Sequence, residues 1–487
     1  MAEKKEESLR KHLSPTHVWA IAFGCIIGWG AFINPGKKFL PNSGVEGTAI
    51  AMTLGALVMI IIAFSYAYLV PKFPKAGGEF FFTKSCFGKL PAYWCGWFLV
   101  AAYLTNVPMN STAIGLIVDG LDGPADILKW GFHYQIAGFD VWCGEMLFAM
   151  GILLLFGWLN IIGVKKAGFI QTLLASLLAI SVFTLAIAAL FSSKSTVSNM
   201  HPVWGFDRAA AMAAGATTET IDAFAHLGRQ GILSAILATF AITPWAFVGF
   251  ETIPQAAEEF KFSYGKVMLI MTIAILFGAI VYISNNYISA AAVENWPERV
   301  MNGEWVLLIA AENMLGLFGK ILIGIAVSSA VLSGIMGFYL ASSRLMFSMA
   351  RERYLPRIFG KVDPKYGTPK NALLFCITIS LSGPILGREA LGWFVDMSSI
   401  GASIGFFFSG ASCLATMKKV GDGTSWLRIM ALLAVMCSSL FVFLQVVPIP
   451  GLAGVHFGKE SYLMLFVWII LGVAFYLRQR GKFRTIA

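Results

Sequence analysis

Apolar runs of about 20 residues, each enough to cross a hydrocarbon core of ~30 Å as a helix, recur along nearly the whole chain. Only short polar connections separate them. The expected spans are 18–39, 46–70, 91–120, 140–162, 168–192 and 232–253 in the first half, then 267–292, 317–350, 371–387, 390–416, 427–447 and 461–477 in the second. This pattern predicts an all-α polytopic membrane protein with about 12 transmembrane helices and no separate soluble domain. Two runs interrupt their own helical periodicity at matching places: Gly24 to Phe32 reads G-C-I-I-G-W-G-A-F, and Pro244 to Glu251 reads P-W-A-F-V-G-F-E. A helix broken inside a bilayer leaves N–H and C=O groups that cost several kcal/mol each in hydrocarbon unless they line a protected cavity or bind something. Paired breaks in the two halves of a chain therefore point to a binding site.

Composition agrees with the pattern. The 487 residues are 57% hydrophobic and 13% charged, with a mean hydropathy of +0.74, which excludes a soluble globular domain of this length. Twelve spans put both termini on one side. Most of the 36 Lys and Arg then fall in the two ends and alternate loops, which predicts cytoplasmic termini and a multi-pass protein of the cell membrane. The net charge of +10 is thus a topology signal and gives no argument for a nucleic-acid partner. Cys25, Cys86, Cys95, Cys143, Cys376, Cys413 and Cys437 are scattered without metal-like spacing, so neither a metal site nor a disulfide framework is expected. The start M-A-E-K-K-E-E-S-L-R-K lacks a short apolar core with a cleavage site, so no cleavable signal peptide is expected.

The connections carry further expectations. Residues 73–88, F-P-K-A-G-G-E-F-F-F-T-K-S-C-F-G, are too polar to span and too aromatic for a solvated loop, which suggests a cytoplasmic re-entrant or interfacial element. The longest external segment, about 194–231, contains an alanine-rich stretch suited to a short helix and would cap an outer vestibule. The Arg-, Lys- and Pro-dense stretch 351–370 reads as an orientation signal, with gating contacts or anionic lipid headgroups as the alternative. Spans one to five and six to ten each begin with an interrupted segment, and five is an odd number of crossings, so the two units form an inverted repeat. The expected organisation is a tail over 1–17, a first five-helix repeat over 18–192, an extracellular loop over 193–231, a second repeat over 232–416, and two further helices with a tail over 417–487.

In the first break, Gly24, Gly28 and Gly30 weaken the helix by roughly 1 kcal/mol each against alanine. Unwinding there frees N–H groups at a new half-helix N-terminus, which suit a carboxylate. The alternative is a small-residue packing face formed by Gly24 and Gly28. In the second break, Pro244 removes a donor and Gly249 lets the chain turn away, so that free carbonyls would hold an ammonium group. A packed proline kink is the alternative. A carboxylate site facing an amine site is the chemistry an amino-acid backbone requires.

The first motif, with A-G-G-E-F at 76–80, G-V-K-K-A-G at 163–168, W-A-F-V-G-F-E at 245–251 and S-S-R-L-M-F-S-M-A-R-E-R-Y-L-P at 342–356, resembles the amino acid-polyamine-organocation (APC) superfamily of transporters, including bacterial amino acid permeases and exchangers. The likeness covers nearly the whole chain. It implies a five-plus-five inverted repeat with discontinuous helices 1 and 6, working by alternating access around a site between spans one, three, six, eight and ten. It further implies that the backbone of Ile27, Gly28, Trp29 and Gly30 receives the substrate carboxylate and that the carbonyls of Phe247, Val248 and Gly249 receive its amino group. Trp245 matches an aromatic gate, Glu251 a proton-responsive acid, and Asn106 a contact to the substrate side chain. Trp29 departs from the small residue common at its place; it would narrow the pocket, stack on a planar substrate or point away.

Glu251 lies where an ionised acid is expensive, so it is paired, near water or protonated, and it becomes a candidate for proton coupling, with a structural hydrogen-bonding role as the alternative. Relatives of this fold often place Na⁺ or a lysine ammonium between spans one, five and eight. This chain has no Lys or Arg between Lys166 and Lys194, whereas Ser329 and Ser333 offer hydroxyls for Na⁺, or for bonds back to their own helix. Asn285, Asn286, Tyr287 and Asp396 read as interhelical hydrogen bonds, with a gate contact as the alternative. There is no P-loop, no H-E-x-x-H and no clustering of the six histidines, so neither primary pumping nor enzyme catalysis is expected, and no cofactor. The chain reads as a secondary active transporter of amino acids or related amines, by exchange or H⁺ coupling, as a monomer or homodimer. A Na⁺-coupled symporter and a non-transporting membrane sensor are the alternatives. The few acids within spans disfavour a highly cationic polyamine and favour a neutral or aromatic amino acid.

Overall fold

The computed structural model describes residues 9–122, 126–136, 139–217, 219–226, 229–387, 390–449 and 456–483. The first eight residues, which carry most of the charged N-terminal stretch, and the last four lie outside the described residues, as do parts of the long external segment. Helix α1 (Pro15–Ile26) starts where Ser14 accepts the His17 N–H at 3.2 Å and Pro15 takes the first helical position. Beyond a break come α2 (Gly30–Asn34), a π-helical turn over Pro35–Phe39, and α3 (Leu40–Lys72). The first half continues with α4 (Gly78–Phe87), α5 (Lys89–Asp122), α6 (Cys143–Ile161), α7 (Val164–Phe191) and the short α8 (Arg208–Ala213). The sixth apolar run divides into α9 (Arg229–Phe240), α10 (Thr243–Phe247) and α11 (Thr252–Gln255). Then follow α12 (Val267–Ala291), α13 (Trp296–Met301), α14 (Val306–Leu315), α15 (Leu317–Arg351), α16 (Lys370–Ser380), α17 (Gly383–Leu386), α18 (Ala390–Val420), α19 (Ser425–Val446) and α20 (Lys459–Phe483).

Each expected span falls largely on helix, and the chain is an all-α polytopic membrane protein. Among the described residues, nine stretches are long and apolar enough to cross a membrane, while α1, α14 and the Lys370–Leu386 run are shorter apolar helices. Three local differences stand out. The second half of the first span runs on past 39 to Ser43, and the chain breaks at Gly44, φ 67° and ψ −164°, a kink that divides α3 and begins the second span. The fourth span starts at Cys143 instead of 140, because Phe139–Trp142 (β2) pairs antiparallel with His133–Ile136 (β1), in the register His133 to Trp142. And α14 adds an apolar helix where only a connection was expected.

The centre of the bundle is α5, packed between α15 and α18, with α1 enclosed by α7, α12 and α15. Large apolar side chains exposed along α7 and α20, such as Phe169, Ile180, Leu190, Phe466 and Leu477, form the lipid-facing surface. Residues 73–88 are a seated element: α4 starts at Gly78 after Gly77, both at positive φ, packs on α5 and α18, and buries Glu79, Phe80 and Phe82. The long connection lies over the start of α3, where Phe206 N–H donates to Pro41 O at 2.7 Å and a Cβ at Gly44 would strike Val203 O at 2.1 Å. Asn285, Asn286 and Tyr287 hydrogen-bond across helices, to Ala31 O at 2.9 Å, Gly44 O at 3.2 Å and Glu46 Oε1 at 3.0 Å. Asp396 accepts Ser461 Oγ at 2.6 Å. At the end carrying the 351–370 segment, buried Arg344 meets Glu259 at 2.7 Å and Arg351 meets Glu258 at 2.5 Å, and the Glu259 carbonyl accepts the N–H groups of both His12 and Leu13 at 2.9 Å.

Candidate functional site

The first break begins where Ile27 turns to an extended conformation, φ −95° and ψ 94°, and stops the helical ladder. Ala31 and Phe32 reach back only to Gly28 O and Trp29 O, at 3.3 and 3.0 Å. The N–H groups of Gly28 and Trp29 have no acceptor among the described residues. In the second break, α10 ends at Phe247, Val248 leaves the helical region at φ −53° and ψ 121°, and Gly249 takes φ +147°. The carbonyls of Phe247 and Val248 accept no hydrogen bond among the described residues, whereas Gly249 O takes Thr252 Oγ1 at 2.5 Å.

The two breaks touch. A Cβ at Gly249 would stand 2.6 Å from the nitrogen of Ile26 and 2.7 Å from Cys25 Cβ, so only glycine allows this approach. Trp245 lies across the other side: a Cβ at Gly30 would meet its Cη2 at 2.3 Å. Trp29 neither points away nor stays alone. Its ring lies 6.0 Å from that of Trp245 at 54°, it is buried, and it lines a cavity of about 390 Å³ that extends over Asn34 and Gly36.

Glu251 is fully buried. Its Oε2 accepts the Gly249 N–H at 2.9 Å and its Oε1 has no partner. A second buried acid, Glu79 of α4, stands in the same polar pocket: Tyr66 Oη donates to it at 2.7 Å and Gln255 Nε2 at 2.6 Å, and Gln255 also reaches Tyr103 Oη at 3.3 Å. Burial outweighs those donors and pushes Glu79 up to about 7. The A-G-G-E-F string contained Glu79, but nothing in it showed that α4 folds in against the second break.

Asn106 is turned to α18, with Nδ2 donating to Ser398 Oγ at 2.6 Å and to Ala102 O at 2.7 Å. One turn on, Asn110 faces the first break: a Cβ at Gly28 would meet its Oδ1 at 3.2 Å, and this oxygen has no donor. Its signal in the sequence was the four-residue spacing from Asn106. Ser333 Oγ donates to Gly24 O at 3.2 Å and to Ala330 O at 3.0 Å, so it makes both the contact to α1 and the bond within its own helix; Ser329 is buried on the same helix. Beside Gly24 stands Gln171 of α7, with Nε2 donating to Ala20 O at 3.1 Å and Oε1 unpartnered. A lone amide in the apolar fifth span was the overlooked signal. Among the described residues no group of three His, Cys, Asp or Glu side chains is placed to hold a metal ion.

The sequence profile of the amino acid permease family matches residues 13–475. The branched-chain amino acid permease BcaP of Bacillus subtilis (strain 168) is 24% identical over 99% of this chain and 95% of its own length. The human large neutral amino acids transporter small subunit 2 is 27% identical over 77% of this chain and 64% of its own length. An uncharacterised transporter of Rhizobium meliloti (strain 1021) is 27% identical over 77% of this chain and 72% of its own. With a match that spans both broken helices and nearly all of the chain, the protein belongs to the amino acid permease family of the APC superfamily.

Proposed function

We propose that this chain is a secondary active transporter of amino acids across the cell membrane, with no catalytic activity, working by alternating access around the two touching breaks. The observation that carries the reading is the pairing of free Gly28 and Trp29 N–H groups with free Phe247 and Val248 carbonyls. The donors take the substrate carboxylate and the carbonyls its ammonium group. Ile27 and Gly30 frame the first subsite, and Gly249 holds the second against α1. Asn110 lines the side of the pocket on α5, with Asn106 behind it on Ser398, and the Trp29–Trp245 pair closes it toward the 390 Å³ cavity. Such a pair suits a neutral or aromatic side chain.

Glu251 acts as the proton-responsive group, because its Oε1 is buried without a donor and is relieved when the carboxyl carries a proton. The Glu79 charge lies near enough to act on it. Ser333 and Gln171 already donate to α1 carbonyls, which supports transport without Na⁺. The fold divides into inverted repeats over 18–192 and 232–416, with about twelve crossings and both termini cytoplasmic. Uptake and exchange assays in proteoliposomes, run against the common amino acids and simple amines, test the proposal. Ligand binding with neither uptake nor exchange would make the protein a sensor and overturn it.

A further inference from the structure

The cavity beyond the Trp29–Trp245 pair has a chemistry that the two breaks do not use. Among the described residues, its walls carry Lys37, Lys38 and Arg208 against one acid, Glu304, and its floor carries Trp29 and Asn34. Glu304 is already engaged, receiving Arg299 Nη1 at 3.0 and 3.3 Å. Asp396, whose carboxylate lies near enough to Lys38 to feel its charge, takes Ser461 Oγ and is not part of the lining. Among the described residues, Lys38 and Arg208 therefore leave an excess of positive charge even with Lys37 set aside as engaged elsewhere and the Asp396 charge beside Lys38 counted. The lining also has buried donors without acceptors: the Nε1 of Trp29, a side chain only 5% exposed, and the Nε of Arg208. Buried N–H groups are left unpaired only at a cost, unless a ligand or water supplies lone pairs. An ammonium group meets like charge here, whereas a carboxylate meets opposite charge and donors in a water-accessible pocket whose low-dielectric walls focus the field.

We propose that this cavity is an outer docking site for the carboxylate of small organic anions, the incoming substrate included. Lys38 and Arg208 hold the carboxylate above Trp29 before it passes to the N–H groups of Gly28 and Trp29. The substrate part of the inference rests on the transport reading; the carboxylate site does not. Monocarboxylates and dicarboxylic amino acids fit the site, and simple amines do not.

The experiment titrates the purified full-length protein with sodium propionate, propylammonium chloride and inorganic phosphate at constant ionic strength, following thermal stability and tryptophan fluorescence. Saturable stabilisation by propionate and none by propylammonium is expected. A Lys38→Gln/Arg208→Gln double variant weakens propionate binding by about fivefold or more, as expected when two charges facing a ligand are removed. The charge-conserving Lys38→Arg/Arg208→Lys variant retains it, which separates lost charge from lost folding. Gly28→Val, which fills the first break, leaves propionate binding intact if the site is the outer cavity. Unchanged affinity in the double Gln variant, loss only in Gly28→Val, or binding of phosphate in preference to propionate overturns the proposal. Amino-acid uptake measured separately in proteoliposomes reports on the transport reading, so failure of one is distinguishable from failure of the other.

Discussion

Gly249 and Ile26 come so close that a single Cβ on the glycine would lie 2.6 Å from the isoleucine nitrogen. The contact joins the end of α1 to the turn before α11 and holds the free donors of one break beside the free carbonyls of the other. Gly249→Ala must both open this contact and place a side chain at φ +147°. A loss of about 1–3 kcal/mol in stability is expected from the backbone strain alone, with transport falling below detection. Thermal unfolding and proteoliposome uptake measured together check this, and a fully active, equally stable variant would show that the two breaks do not act as one site.

Glu251→Gln keeps the shape and the Gly249 N–H contact but removes the titrating carboxyl. Transport by the wild-type protein is expected to vary with pH, and the variant is expected to lose most of that variation while it still binds substrate. Uptake at pH values from about 5 to 8 is the measurement; a profile identical to wild type removes Glu251 from the proton role.

Glu79 gives a signed stability prediction. Its ordinary carboxyl value of 4.5 is raised to about 7 in the fold, chiefly by burial, so the folded state holds the proton more tightly than the unfolded chain. The stabilisation is full below about pH 4.5 and is lost as the pH rises toward about 7. The melting temperature of the wild-type protein should therefore fall across this window, and Glu79→Gln should fall less steeply. Equal slopes would mean that Glu79 does not change its charge on folding in that range.

Trp29→Leu removes one half of the aromatic pair with Trp245. A loss of about 0.5–1.5 kcal/mol beyond simple burial is expected from such a pair, so an aromatic substrate should show a raised KM with a smaller change in maximal rate. A uniform loss across aromatic and small substrates would instead assign Trp29 to packing.

Replacement of Na⁺ by choline should leave uptake unchanged, because the α1 carbonyls at Ala20 and Gly24 already accept from Gln171 and Ser333. Gln171→Ala should destabilise the packing of α1 on α7 by about 0.5–1.5 kcal/mol, measured by thermal unfolding, since it removes a buried hydrogen bond between the two helices. A strict Na⁺ requirement would contradict this reading.

Apolar periodicity was enough to place the long helices and their class, because the bilayer demands runs of one length and internally satisfied backbones. The two breaks were legible as well, since glycine and proline alter backbone freedom locally, and the motif string carried the family. Partners, by contrast, are set by helices far apart in the chain. Asn106 was readable as a polar residue in α5, yet the rotation of that helix turned it to Ser398 and brought Asn110 to Gly28. Glu79 looked like part of an interfacial loop until α4 packed it beside Gln255. Gln171 and Trp29 likewise acquired meaning only from Ala20 and Trp245. The sequence by itself determined that this chain lives in a membrane, where its helices run and where two of them must come undone. Tertiary structure alone decided which polar groups meet, because in a densely packed helical bundle the azimuth of each helix is fixed by all of its neighbours at once and not by its own residues.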